Sequence, residues 1–294
     1  MFKILIPVDF TEDSEKASRY ALTLATAAPQ AQLLLLHCYQ DYLADADTDT
    51  PMDMTDSEEV TERVIYRNVT EAEEQLEDLY QQLRAEATTR NEHTRLERAF
   101  IHGLPEDVIV EEVQRFKPDL VIMGTKGESN ISRSFFGTVT TKVVQDLNVP
   151  VLTVPSTYQG NRPVTVAYAS NFDTTDSKAI LQLQQLLQPF NPLLQCVHIS
   201  KSRNAEQDKK QLDTLKRTFA QNSPGTSIKY TLLEGDNVTK ALQDFVQEQR
   251  INLLALTTHK RSSFGNILNP SLAQKLILES EVPLLIFHSP EDAA

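Results

Sequence analysis

Three glycines, Gly124, Gly127 and Gly137, fall within 14 residues of a 294-residue chain that holds only 8. They follow the apolar run Leu120-Val121-Ile122-Met123 and lead into Thr138-Val139-Thr140-Thr141. A strand that exits through glycines into a hydroxyl-rich helix start is suited to holding phosphate. Glycine lets the backbone approach an anion, and the unpaired N–H groups of a helix N-terminus point towards it. No second chemistry declares itself. The 6 histidines are scattered singly, and H-E-x-x-H, C-x-x-C and G-K-[ST] patterns are absent. Asp45, Asp47 and Asp49 have the spacing that starts a calcium loop, but the sixth position is Thr50 and the twelfth Asp56. Such a loop needs glycine and glutamate there, so 40–60 is expected to be a solvated acidic loop.

The elements that would position the glycines can be read in order. Lys3-Ile4-Leu5-Ile6-Pro7-Val8 is a near-continuous apolar run of the kind buried on both faces of a parallel sheet, with Asp9 at its carboxyl end. Thr11 can cap a helix carrying Ala17, Tyr20, Ala21 and Leu24 at helical spacing, which Pro29 ends. Leu33 to Cys38 is a second buried strand, completing a right-handed βαβ unit. A helical pattern runs from about Val60 to Glu86, then a strand from Thr94 to Ile101, a turn at Gly103, and a helix opened by Pro105. The glycine stretch follows, and Val149 to Val154 closes the series as a fifth strand.

The series then repeats. Val164 to Phe172 echoes Ile4 to Phe10, Leu193 to Ile199 echoes the second strand with His198 in the place of His37, and Leu253 to Leu256 echoes Leu120 to Met123. Val282-Pro283-Leu284 lies 133 residues after Val149-Pro150-Val151, and that offset holds back to the glycines without a gap. The expected fold is α/β: two tandem doubly wound open sheets of five mainly parallel strands each, spanning 1–157 and 163–290.

Bulk properties narrow the function. The net charge is −13, divided as −14 over residues 1–158 and +1 over 159–294, which argues against a nucleic-acid partner. No run approaches a membrane span, the start MFKILIPVDF reads as a strand rather than a leader, and Cys38 and Cys196 sit in apolar runs. A reducing cytoplasm is the expected location.

With the repeat and the glycines in view, the chain resembles a tandem universal stress protein. The likeness rests on Ile4-Leu5-Ile6-Pro7-Val8-Asp9, Leu36-His37, His102-Gly103 and above all G-x2-G-x9-G-[ST], running from Gly124 through Gly127 to Gly137-Thr138. It covers both halves apart from the acidic insertion. The resemblance implies an adenine nucleotide alpha hydrolase-like fold, and ATP as ligand in the branch that keeps the glycine motif. It implies adenine- and ribose-side contacts at Pro7, Val8 and Asp9, and places Cys38 against the base. It gives the phosphates the stretch Met123-Gly124-Thr125 with Gly127, Gly137, Thr138, Val139 and Thr140, while Lys126 and Arg133 could add charge. Magnesium would be held mainly by phosphates with one carboxylate. His37 and His198 read as strand-end histidines bonded to backbone, because the histidine recurs where the motif does not.

That loss is specific. At the offset of 133, the three glycines become Thr257, Lys260 and Pro270, Thr138 becomes Ser271, and Asp9 is answered by Asn171. One nucleotide site is expected, in the first half, with a non-binding second half that pairs with the first through the fifth strands. A homodimer stays open. A binding module, a slow ATPase or nucleotide-dependent transferase, and an interaction protein with an empty site remain the competing functions; for hydrolysis the sequence names no base beyond Asp9.

Overall fold

The computed structural model describes residues 1–40, 54–125, 138–160, 162–201, 204–222, 227–258, 275–277 and 279–289. The first half is built from β1 (Phe2–Pro7), α1 (Glu12–Ala27), β2 (Ala31–Tyr39), α2 (Met54–Arg90), β3 (Thr94–His102), α3 (Pro105–Phe116), β4 (Leu120–Gly124), α4 (Thr138–Asp146) and β5 (Val151–Val154). The second half contributes β6 (Thr165–Ala169), α5 (Asp176–Leu187), β7 (Leu193–Ser200), α6 (Ala205–Asn222), β8 (Ile228–Glu234), α7 (Val238–Glu248), β9 (Leu253–Thr258) and β10 (Leu284–His288). The fold is α/β. Within each half every strand pairing is parallel, as the apolar runs require.

The two five-stranded units do not stand apart. They join edge to edge in one sheet of 10 strands, in the order β3-β2-β1-β4-β5-β10-β9-β6-β7-β8. The joint is antiparallel, with Leu284 opposite Thr153, Leu285 opposite Leu152 and Ile286 opposite Val151. Both short fifth strands thereby lose an exposed apolar edge that would otherwise seek a partner. Each face of the sheet carries one core running through both halves. One lies under α1, α2, α5 and α6, with Ile4, Leu35, Leu76, Ile180 and Phe219. The other lies under α3, α4 and α7, with Leu34, Ile109, Val143, Leu242 and Ile277.

Local chemistry explains the helix boundaries near the glycine stretch. Thr11 caps α1 by accepting from the Ser14 N–H, and Glu12, Asp13 and Glu15 put negative charge at its positive end. Pro105 opens α3, and Lys117 ends it in the left-handed region at φ 52°. α2 begins at Met54, ahead of the expected start near Val60. The acidic residues Asp56, Glu58 and Glu59, taken as loop composition, favour a helix N-terminus instead. Asp45, Asp47 and Asp49 lie outside the described residues.

Candidate functional site

In an open parallel sheet, a crevice forms where successive connections leave in opposite directions, here between β1 and β4. The ladder between these strands pairs Ile4 with Leu120 and Leu5 with Val121, and it stops there. Pro7 brings no N–H to extend it. Beyond the last pair lie Pro7, Val8 and Asp9 on one side and Met123, Gly124 and Thr125 on the other.

The backbone after β1 is held in an unusual turn. Asp9 Oδ1 accepts from the Thr11 hydroxyl at 2.6 Å and from its N–H at 3.2 Å. Phe10 sits in the left-handed region at φ 59°, a strained conformation for a bulky residue. Its ring stacks on His37 with centroids 4.4 Å apart, while His37 Nδ1 lies 2.8 Å from the Val8 carbonyl. His37 is thus a strand-end histidine bonded to backbone, as expected. Cys38 is half-buried at the exit of β2, and burial, with Glu112 and Glu106 nearby, pushes its thiol up to about 12. It is therefore a neutral packing group rather than a nucleophile.

At the exit of β4 the structure gives Gly124 a reason that the spacing did not show. A Cβ there would lie 2.9 Å from both the backbone carbon and the Cβ of Asp13, and 3.1 Å from the Ser14 nitrogen. Glycine is required because the first turn of α1 presses against the strand. Thr125, also buried, donates to Asp13 Oδ2 at 3.3 Å. The Thr140 hydroxyl donates to the Gly124 carbonyl at 3.0 Å, so it fastens α4 to the strand exit and its hydrogen is not available to a phosphate. Met123 is buried in the core under α4, with Val139 packed against that core. Thr138 is the first residue of α4. Lys126, Gly127, Arg133 and Gly137 lie outside the described residues.

The second half repeats the turn and bridges the strand crossing with side chains. Phe172 is again left-handed at φ 59°, its ring stacks on His198 at 4.0 Å, and His198 Nδ1 lies 2.8 Å from the Ser170 carbonyl. Asn171 precedes this phenylalanine as Asp9 precedes Phe10. Here the ladder runs on, pairing Val166, Ala167, Tyr168 and Ala169 with Leu253, Leu254, Ala255 and Leu256. Thr257, in the place of Gly124, lies 2.8 Å from the Tyr168 hydroxyl, which donates to Asp176 Oδ1 at 2.7 Å. With the phenol hydrogen so engaged, Thr257 is the donor to Tyr168. Asp176 Oδ2 accepts from the Ser170 hydroxyl at 2.5 Å and the Asp173 N–H at 3.2 Å. Burial raises the pKa of Asp176 above the usual carboxylate value. Lys260, Pro270 and Ser271 lie outside the described residues.

Asp13, Tyr168 and Asp176 were not singled out by motif reading. An aspartate in the first turn of the first helix of each half was the available signal. Among the described residues no group of three or more His, Cys, Asp or Glu is placed to hold a metal ion, and no helix is long and apolar enough to cross a membrane. An open cleft of 760 Å³ lies at the joint instead, lined by Thr175, Lys178, Gln182, Thr257 and His288 with Asn148 from the first half. It contains none of Asp9, Gly124 or Thr140.

Comparison with known proteins follows the repeat. The universal stress protein family matches residues 1–155 and again residues 164–288. A universal stress protein of Thermus aquaticus is 30% identical over 158 residues, covering 52% of this chain and 99% of the relative. One from Methanocaldococcus jannaschii is 26% identical over 152 residues, covering 52% and 81%. Among solved structures, a universal stress protein from Archaeoglobus fulgidus covers 97% of this chain and 98% of its own, with TM-score 0.69 and 16% identity. A Pseudomonas aeruginosa protein of unknown function covers 99% and 93%, with TM-score 0.61 and 14% identity. These two likenesses bear on the fold.

Proposed function

The chain belongs to the universal stress protein family, which matches both of its halves, and from that premise we propose that it is an ATP-binding module with one site, in the first half. The units are 1–157, which binds, and 163–290, which does not and which shields the apolar edge of the first sheet. The base and ribose lie against Pro7, Val8, Asp9 and Cys38. The phosphates lie over Met123 to Gly127, Arg133, and the turn from Gly137 into Thr138, Val139 and Thr140. Thr140 acts there by fastening α4, leaving backbone N–H groups as the phosphate donors. Magnesium, if present, is held chiefly by the phosphates. Unbridged Cys38 and Cys196 support a reducing, cytoplasmic setting.

One observation carries the reading. The β1–β4 ladder ends at Leu5 and Val121, while the β6–β9 ladder continues to Ala169 and Leu256 and is then closed by side chains. The crossing stops pairing early in the half that keeps the glycine motif, and is paired further and bridged by side chains in the half that lost it. Asp9 has a partner in Thr11 on one oxygen, so it enters the site as an oriented acceptor for ligand hydroxyls. That contact commits one carboxylate oxygen to the turn, and the sequence names no other base, which favours binding over turnover.

Isothermal titration with ATP is the test. Saturation at one nucleotide per chain is expected, and two per chain would overturn the single-site reading. No heat and no thermal shift with any adenine nucleotide would leave an interaction protein. Single-turnover assays of wild type and Asp9→Asn separate binding from slow hydrolysis, with negligible turnover expected in both.

A further inference from the structure

The segment that joins the halves is bound to the same helix that borders the candidate site. Along one side of α1, at successive turns, stand Asp13, Lys16 and Tyr20. Asp13 meets Gly124 and accepts from Thr125. Lys16 donates to the Ser156 carbonyl. Tyr20 meets Tyr158 edge to face, with centroids 5.2 Å apart and an interplanar angle of 79°. Both rings are buried, although Tyr158 lies in the connecting segment rather than in a helix or strand. The segment is folded on itself by the Tyr158 N–H to the Pro155 carbonyl at 3.0 Å. Its other attachment is to the second half, where the Thr157 hydroxyl donates to the Glu281 carbonyl at 3.3 Å, just ahead of β10.

We propose that Pro155–Tyr158 is a clasp through which the second half sets how firmly the first turn of α1 seats against Gly124 and Thr125, and so tunes the first-half site. The mechanical part stands on the contacts alone; the ligand part rests on the nucleotide reading above. The links are continuous: Glu281 to Thr157, Ser156 and Tyr158 to Lys16 and Tyr20, and one rigid helix from there to Asp13. The clasp is also poised. The edge-to-face pair stabilises it, while the hydroxyls of Tyr20 and Tyr158 are both buried without a hydrogen-bond partner among the described residues. An unpaired buried hydroxyl opposes closure by an amount comparable to what a ring pair contributes. Opening the clasp therefore costs less than its buried area suggests.

Hydrogen exchange on the full chain tests this, with Tyr158→Ala, Lys16→Met and Tyr158→Phe compared against wild type. Removing the ring or the ammonium should quicken exchange in peptides covering Thr11–Ser14 and Met123–Thr125 by at least about five-fold, the lower end of usual coupling between sites, with β7 and β8 unchanged. Tyr158→Phe keeps the ring and deletes an unpaired hydroxyl, so exchange in those peptides should slow. Exchange that quickens only around residue 158, or a Tyr158→Phe effect of the same sign as Tyr158→Ala, overturns the clasp. Uniform quickening across the whole chain, as global unfolding gives, also counts against it. Saturating ATP should slow exchange in the same two peptides of wild type, because a ligand that binds the seated form lowers the population of the opened one. If wild type binds no ATP, the nucleotide reading fails while the exchange comparison still decides the clasp.

Discussion

The hydroxyl of Thr257 lies 2.8 Å from that of Tyr168, closing the second half's strand crossing with side chains where the first half has Gly124 and no side chain. The two halves thus differ by more than the deletion of a motif. A buried polar network fills the degenerate crevice: Thr257 to Tyr168 to Asp176, with Ser170 on the second carboxylate oxygen. Such a network is favourable only while every member is satisfied.

Tyr168→Phe breaks the network at its centre and orphans Thr257 and one Asp176 oxygen. Urea denaturation should show a loss of about 1–3 kcal/mol, the usual cost of leaving buried polar groups unpaired. No nucleotide site should appear in the second half, because the ladder from Val166 to Ala169 stays intact.

Asp176 makes stability depend on pH in a defined direction. Burial raises its folded pKa above the ordinary 3.8, so its favourable protonated form is fully present below the unfolded pKa. That contribution is lost as pH rises through the folded pKa. Asp176→Asn removes the titration. Measured by urea denaturation, the variant should compare more favourably with wild type at about pH 7 than at about pH 4. A pH-independent difference would mean that Asp176 titrates normally.

Gly124→Ala should destabilise the fold by about 1–3 kcal/mol, the range for forced overpacking, since the atoms in the way belong to the α1 backbone. A fall in Tm of the protein without nucleotide checks this. If only nucleotide affinity fell, the helix contact would not be the reason for glycine.

Asp9→Asn keeps an acceptor for Thr11 and installs the residue type that stands at the matching position, Asn171, in the second half. Stability should change by less than about 1 kcal/mol, while ATP affinity falls about ten-fold or more through loss of a charged acceptor. Calorimetry beside thermal unfolding separates the two effects. Lost stability with unchanged affinity would reduce Asp9 to a turn residue.

The native chain should resist alkylation. Both thiols are pushed up by burial, Cys38 to about 12, so thiolate is scarce near neutral pH. Iodoacetamide labelling should become fast only with denaturant, and rapid native labelling of Cys38 would show that the exit of β2 opens.

The strands and the double winding of each half were legible because apolar runs, duplicated at a fixed offset, leave few ways to wind a parallel sheet. His37 was legible for a related reason, since its recurrence as His198 separated it from the ligand motif. The pairing limit between β1 and β4 was not. Pro7 is visible in the chain, but its effect appears only once its neighbours are known. Gly124 was singled out by the motif and explained incompletely: its closest obstacle is Asp13, over a hundred residues earlier, and spacing does not report such an approach. The start of α2 was misplaced because acidic side chains suit both a solvated loop and a helix N-terminus.

The antiparallel joint between β5 and β10 has a geometric consequence. Every first-half strand runs opposite to every second-half strand, so their carboxyl ends emerge on opposite rims of the sheet. Two equal halves joined this way would present the same surface at either end, and a partner docking there could not tell one from the other. With the crossing bridged by side chains on one rim and by glycine's bare backbone on the other, the molecule acquires a head and a tail.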